Sequence, residues 1–394
     1  MDTLLFNFHD LVLVGTTYQC LLFALLLLLS PNKNRVSQIL LACFLLTQAF
    51  IPMDILVNFG AGFKSWALEA SPDLFYAFGV AYWLEGPLLL WYTRSLLYKN
   101  YQFRVTDLRL LVPTLLYLVY IFLVFWSLSA EDQIMLIENS ADDYPITHHA
   151  IYLFREVFRF SLGAYCLYEL RKYSSAALNV HSDIEKIDFS WLRLLTSGFL
   201  ILRAWAILVS LAIITSKEWF FPINYAFMGL LSNYVAFVLI CALIFQSLSK
   251  ASKLERLLEP ESAENTTPSQ EETKTCDFHE NSEQLMAYMD SEKPFLKPSL
   301  TLEQLAKQMN WPQRNLSNTI NRALDKNFFE FINEFRVNEA TRQLRDGEIS
   351  DKSITDIMLD SGFNSKATFN SYFKKITGTT PSQYRKQGQG NEGV

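Results

Sequence analysis

Residues 353–386 read SITDIMLDSGFNSKATFNSYFKKITGTTPSQYRK. The pattern is a helix from Ile354, a turn at Gly362 and a second helix rich in Asn, Ser and Lys. Glycine there accepts a left-handed turn conformation without steric cost. In the second helix Phe369, Phe373 and Ile376 recur at helical spacing and are expected to pack inward. Ala367, Asn370, Ser371 and Lys374 fall on the other side, with no acid among them. A short helix with an apolar face and a small, polar, basic face suits the major groove of DNA.

Working outward, the same pattern occurs a second time. Leu302-x-x-Leu305-Ala306 matches Ile354-x-x-Ile357-Met358, and Asn310-Trp311 matches Gly362-Phe363, both 52 residues apart. Leu316 and Ile320 match Phe369 and Phe373 at 53, so the second turn is one residue longer. Asn310, like glycine, tolerates a left-handed turn. The inward face of this first unit is expected to be Leu316, Ile320 and Ala323. Its outward face is Arg314, Ser317, Asn318 and Asn321. Between the units one long helix is expected from Phe328 to Arg345, ended at Asp346-Gly347. It would space two reading helices for adjacent major grooves, about 34 Å apart.

Residues 298–386 resemble the DNA-binding domain of the AraC/XylS family of transcription regulators. The resemblance rests on Leu302, Leu305 and Ala306, and on Phe331, Arg336 and Ala340 of the long helix. It rests above all on Gly362-Phe363-x-Ser365, Phe369, Phe373-Lys374, Gly378 and Thr380-Pro381-x-x-Tyr384-Arg385. It implies two helix-turn-helix units on promoter DNA. By matching positions, Arg314, Ser317 and Asn318 would face the groove, as would Lys366, Ala367, Asn370 and Ser371. The chain departs from the family at Met358, where a small Ala is usual, and at Trp311, where a capping Ser or Thr is common. Membrane-bound members with several spans are known, and the chain is similar to these.

Upstream, the composition changes. Half of all residues are apolar and 19% charged, with net charge −6, so any basic patch is local. The apolar residues concentrate before 250. Seven runs there are long enough to cross a bilayer, which needs about 20 residues: 10–29, 37–58, 74–97, 108–129, 150–170, 192–214 and 223–248. The first lacks the basic lead of a cleaved signal. Thirteen Lys and Arg flank one side of these spans, and only Lys64 and Lys217 the other. The positive-inside bias places the N-terminus outside and the C-terminal half in the cytoplasm; the resemblance implies that the membrane is the bacterial inner membrane. The longest outer connection, 130–149, has five acids and no Lys or Arg and reads as a solvated loop. Its His148 and His149 are a weaker candidate for a pH or metal sensor.

Charges inside the spans are costly and normally face the bundle interior in pairs. Asp54, Glu85 and Glu156 balance Arg155, Arg159 and Arg203. They form either mutual salt bridges or a ligand pocket, with Glu85, Arg159 and Arg203 as its inner polar groups. The five cysteines show no metal or disulfide spacing, and no catalytic motif occurs among the spans.

The expected fold is all-α. A seven-helix transmembrane bundle (1–249) precedes an amphipathic stalk and a polar linker disordered by composition (250–282), then a DNA-binding domain (283–394). The linker proper, 261–282, spans about 25 Å as a flexible coil of roughly 22 residues, which favours control by proximity or pairing over a rigid push. The expected function is a membrane-embedded transcription regulator, not an enzyme and without a cofactor. Its expected partners are promoter DNA, the lipid bilayer, a second copy in a homodimer and a small-molecule signal. A bundle that only anchors or oligomerises, or a transporter-like protein with a fused regulator, stays open.

Overall fold

The computed structural model describes residues 7–30, 35–98, 101–139, 146–182, 190–219, 228–242, 278–345 and 352–390. Among these every extended element is helical, apart from one isolated β-bridge. The chain divides into two compact units. The first takes residues 1–170 and 189–259, the second 171–188 and 260–394.

The first unit holds α1 (Phe8–Leu29), α2 (Arg35–Phe59), α3 (Ala61–Ala70), α4 (Val80–Leu97), α5 (Val112–Ile121), α6 (Ala130–Asn139), most of α7 (Ile146–Leu178), α8 (Ser190–Trp219) and α9 (Met228–Ala242). α1 begins at a capping box, in which Asn7 accepts from the Asp10 amide and Asp10 accepts from that of Asn7. This satisfies amide donors that the first helical turn leaves unpaired. Small residues let α1 and α2 approach: Cys20, Ala24, Ala42 and Ala49 are buried. Thr17 Oγ1 donates across to the Ala49 carbonyl at 3.2 Å. The opposite face of α1 exposes Leu21, Leu22, Leu25 and Leu26, a surface suited to lipid rather than water.

Five described helical stretches are long and apolar enough to cross a membrane: Phe8–Leu29, Arg35–Phe59, Pro72–Leu97, Val105–Trp126 and Ser190–Thr215. Among the described residues the expectation of seven is corrected to five. α7 carries Arg155, Glu156 and Arg159 within its apolar stretch, and of the expected run 223–248 only α9 lies among the described residues.

The connection 130–149, expected to be an outer solvated loop, is also corrected, because much of it is helix. α6 buries Gln133 and Ile137. Gln133 Nε2 donates to Asp73 Oδ1 at 3.0 Å and to the Phe125 carbonyl at 3.2 Å. The apolar positions that dock it are too few to outweigh five acids in a reading by composition.

The second unit holds the end of α7, α10 (Phe278–Glu292), α11 (Leu302–Gln308), α12 (Gln313–Asn318), α13 (Phe328–Arg345), α14 (Ile354–Asp360), α15 (Lys366–Thr377) and α16 (Pro381–Gly390). α10 starts at Phe278, inside the stretch expected to be linker, and its Leu285 and Met289 are fully buried. The rest of the stalk and linker lies outside the described residues, as does Asp346-Gly347. α13 has the expected limits. One cluster gathers Leu302, Leu305, Leu316, Ile320, Phe328, Phe331 and Ile332. A second gathers Val337, Ala340, Ile357, Met358, Phe363, Phe369 and Phe373.

Two inward residues are corrected. Ile376 is 41% exposed and Ala323 is exposed. α12 gives way at Thr319–Ala323 to a π-helical turn, whose wider spacing takes Ala323 off the apolar face.

Both left-handed turns are as expected, with φ 57° at Asn310 and 86° at Gly362. At Gly362 a side chain is excluded twice over. A Cβ would lie 2.5 Å from the Phe295 carbonyl oxygen and 2.9 Å from that of Leu296. Gly362→Ala is therefore expected to lower stability by about 2–4 kcal/mol, since backbone must shift and a strained φ adds about 1–3 kcal/mol. Thermal denaturation of the purified chain checks it; an unchanged melting temperature would refute the close approach.

Glu339 on α13 accepts from Arg342 (2.6 Å), Gln343 (3.2 Å) and Lys293 (3.2 Å). Burial alone would raise its carboxyl, but these donors outweigh burial and hold it at about 2. A depressed folded-state pKa gives stability that is complete above the unfolded value and lost as pH falls toward 2. The wild-type chain should lose thermal stability between about pH 4.3 and 2. Glu339→Gln should flatten part of that decline; identical profiles would show that Glu339 contributes nothing.

Candidate functional site

The first candidate surface is the polar side of α12 and α15. α15 starts at Ser365, whose hydroxyl accepts from the Thr368 amide, and ends at Gly378 with φ 76°. These caps fix its register, and Phe369 and Phe373 fix its rotation by burial. Lys366, Ala367, Asn370, Ser371 and Lys374 are all exposed as a consequence. α12 starts differently. Pro312 stands at its cap without a side-chain hydrogen bond, in keeping with the departure at Trp311. Leu316 is buried, leaving Arg314 and Asn321 exposed and Ser317 and Asn318 half-buried. Asn321 Nδ2 donates to Ser317 Oγ at 3.2 Å, which orients both amide and hydroxyl.

Neither α12 nor α15 contains an acid. Lys375, also exposed on α15, is already engaged: its Nζ lies 3.3 Å from Glu330 Oε1 and 5.3 Å from the Tyr372 ring centroid. The polar faces thus offer amide, hydroxyl, guanidinium and ammonium groups, the donor set for base edges and phosphates. Arg322, exposed after Asn321, was missed by the face assignment because the π-helical turn shifts the spacing there.

The second candidate lies inside the first unit. A Cβ on Gly86 would lie 2.9 Å from Leu162 Cδ1, so α4 and α7 approach closely there. That brings Glu85 to Arg159, whose Nε donates to Glu85 Oε2 at 2.7 Å and whose Nη2 also reaches it. Arg159 Nη1 donates to Glu156 Oε1 at 2.7 Å. Arg203 Nη1 lies 3.2 Å from Glu156 Oε2 and 4.0 Å from Glu85 Oε2. Arg155 reaches Glu156 at 3.0 Å and stacks over Tyr82, 4.0 Å from its centroid. Gln48 Nε2 donates to Glu85 Oε1 at 2.6 Å. The three expected residues Glu85, Arg159 and Arg203 are brought together.

Of these three, Glu85 alone lines a cavity of about 60 Å³, with Gln48 beside it and Phe44, Trp191, Leu195 and Phe199 among its apolar walls. A second tie of α4 to α7 was missed. Arg94, which reads as a connection charge, donates to Glu169 at 2.9 Å. Among the described residues no cluster of His, Cys, Asp or Glu could hold a metal ion.

Comparison with known proteins bears on the second unit. Residues 305–387 match the family model described as "Helix-turn-helix domain". An uncharacterized HTH-type transcriptional regulator of Staphylococcus aureus (strain COL) is 37% identical over 86 residues, 22% of this chain and 11% of that one. The melibiose operon regulatory protein of Escherichia coli (strain K12) is 33% identical over 91 residues, 23% of this chain and 29% of that one. The chain therefore spans about a tenth and less than a third of these relatives. A solved protein with unknown function from Listeria innocua aligns over 26% of this chain with 27% identity and a TM-score of 0.23. The C-terminal segment is an AraC-type helix-turn-helix domain.

Proposed function

We propose that the chain is a membrane-embedded, one-component transcription regulator. An outer or in-membrane signal biases the helical bundle, and the cytoplasmic C-terminal domain binds promoter DNA with two reading heads, α11–α12 and α14–α15. The observation that carries this is the pair of exposed, acid-free faces on α12 and α15 within a helix-turn-helix domain. The five apolar stretches and the thirteen-to-two excess of basic residues on one side support the membrane setting and its sense.

The test is selection of duplexes from a random pool by the full chain in lipid nanodiscs, followed by titration of variants. Lys374→Ala should weaken binding on all duplexes and reduce the salt slope by about one. Arg314→Ala and Asn370→Ala should relax base preference at single positions, each worth about 1–3 kcal/mol. Equal losses on every sequence for all three would overturn these roles, and no enrichment from the pool would overturn DNA reading altogether.

A second reading is favoured by the pairing of Glu85, Glu156, Arg159 and Arg203 with one another. In it the bundle anchors the regulator and the cluster holds helices together without a ligand.

A further inference from the structure

The stretch that ends α7 does not stop at the helix. Val180, His181 and Ser182 run antiparallel to Leu300, Thr301 and Leu302, with His181 opposite Thr301. The Leu302 amide donates to the Val180 carbonyl at 2.9 Å, and the Ser182 amide to the Leu300 carbonyl at 3.2 Å. Arg336, 1% exposed, closes the joint from α13. It donates to the Ser182 carbonyl and Oγ at 3.4 Å each, to the Phe295 carbonyl at 2.8 Å and to that of Lys297 at 3.0 Å.

The receiving segment, 294–302, also sets the position of both helix pairs. Leu302 is the first residue of α11, and Thr301 is its N-cap. On the other side Gly362 abuts the Phe295 and Leu296 carbonyls, and Asn364 Nδ2 donates to Ser299 Oγ at 3.0 Å. The Arg336 guanidinium lies 5.7 Å from the Phe363 ring centroid. A displacement of residues 180–182 therefore acts on the turn of α14–α15 and on the start of α11 through one short segment.

α7 is a single unbroken helix of 33 residues. Glu156 and Arg159 belong to it, and the strap at 180–182 follows its last turn. We propose that this strap, docked on Leu300–Leu302 and Arg336, is the port through which the state of α7 reaches both reading heads. This deepens the function proposed above and rests on it. It also departs from the expectation that control passes through the linker by proximity or pairing. Hydrogen-bonded backbone carries a positional change that a flexible coil would dissipate.

The test locks the strap in the full chain in nanodiscs. His181 and Thr301 form the closely spaced type of antiparallel pair, flanked rather than joined by the two backbone hydrogen bonds, and its geometry accepts a disulfide. His181→Cys with Thr301→Cys is made in a Cys276→Ser background, with each single variant as control. Comparing oxidised and reduced forms of the same protein cancels the lost Thr301 cap. Binding is read on duplexes that the wild-type chain enriches from a random pool.

The disulfide should form under mild oxidant, and oxidation should change DNA affinity about five-fold or more, the scale of a working coupling. The single variants should not respond. Ser182→Pro, which deletes the amide donor to Leu300, should shift affinity in the same sense as reduction. A disulfide that forms without changing affinity, or one that fails to form in folded protein, would overturn the port. If the wild-type chain enriches no duplex, DNA reading fails, and the port with it.

Discussion

Arg159→Met is expected to destabilise the first unit by about 3–5 kcal/mol, the usual consequence of removing one partner from a buried ion pair. Arg159 is fully buried between Glu85 and Glu156, which are 1% and 3% exposed. Its loss leaves two carboxylates in a low-dielectric site with Arg203 and Arg155 to share. A charge at membrane depth already costs about 2.5–3.5 kcal/mol by insertion scales. Adding Glu85→Gln removes one of the two stranded charges while keeping an acceptor for Gln48 and its shape. The double variant should therefore recover about half of the loss, and a double-mutant cycle on thermal denaturation in nanodiscs measures it.

The same pair separates the two readings of the cluster. A double variant that folds and still switches a reporter as the wild type does leaves the cluster a structural brace. Folding without switching gives it a role in sensing, and Glu85 at the cavity wall is then the group to follow. Additive losses with no recovery would mean that Arg159 and Glu85 do not act as a pair.

What was legible in the sequence divides along physical lines. Local periodicity placed Phe369 and Phe373 in the core and Asn370, Ser371 and Lys374 outside it, because helical spacing is a property of the segment itself. The same rule failed at Ile376 and Ala323. Ile376 is the last residue but one of α15, past the packing cluster, and Ala323 sits in a π-helical turn that periodicity does not anticipate. Zero net charge among the six charged residues within the apolar runs left mutual pairing and a ligand pocket both open, and the structure joins five of them, Glu85, Arg155, Glu156, Arg159 and Arg203, in one cluster. The short α6 was hidden by its acids. The strap at 180–182 left no trace at all, since two hydrogen bonds between segments 120 residues apart impose no pattern on either. Arg336 was legible only as a family resemblance, and nothing in α13 alone says which carbonyls it serves.

Arg336→Met should be the most damaging single change in the second unit. Methionine keeps the stem of the side chain but removes every donor, leaving the buried carbonyl of Phe295 and the part-buried one of Lys297 without the guanidinium. Hydrogen bonds to charged groups contribute about 1.5–3 kcal/mol each, and an orphaned buried acceptor costs about 1–3 kcal/mol. A loss of about 3–5 kcal/mol follows, in the range reserved for broken buried networks.

Arg336→Lys should rescue little. One ammonium on a flexible stem cannot reach the three backbone carbonyls that the planar fork serves at once. Ser182→Ala gives the contrast. It removes one long contact of 3.4 Å and should cost under about 1 kcal/mol, leaving the 294–302 segment in place. Hydrogen exchange of residues 294–302 in the full chain reads all three. Protection should collapse in Arg336→Met, fall in Arg336→Lys and persist in Ser182→Ala. Equal protection across the set would mean that this segment is held by the apolar burial of Phe295, Leu300 and Leu302, and that Arg336 merely fills space beside it.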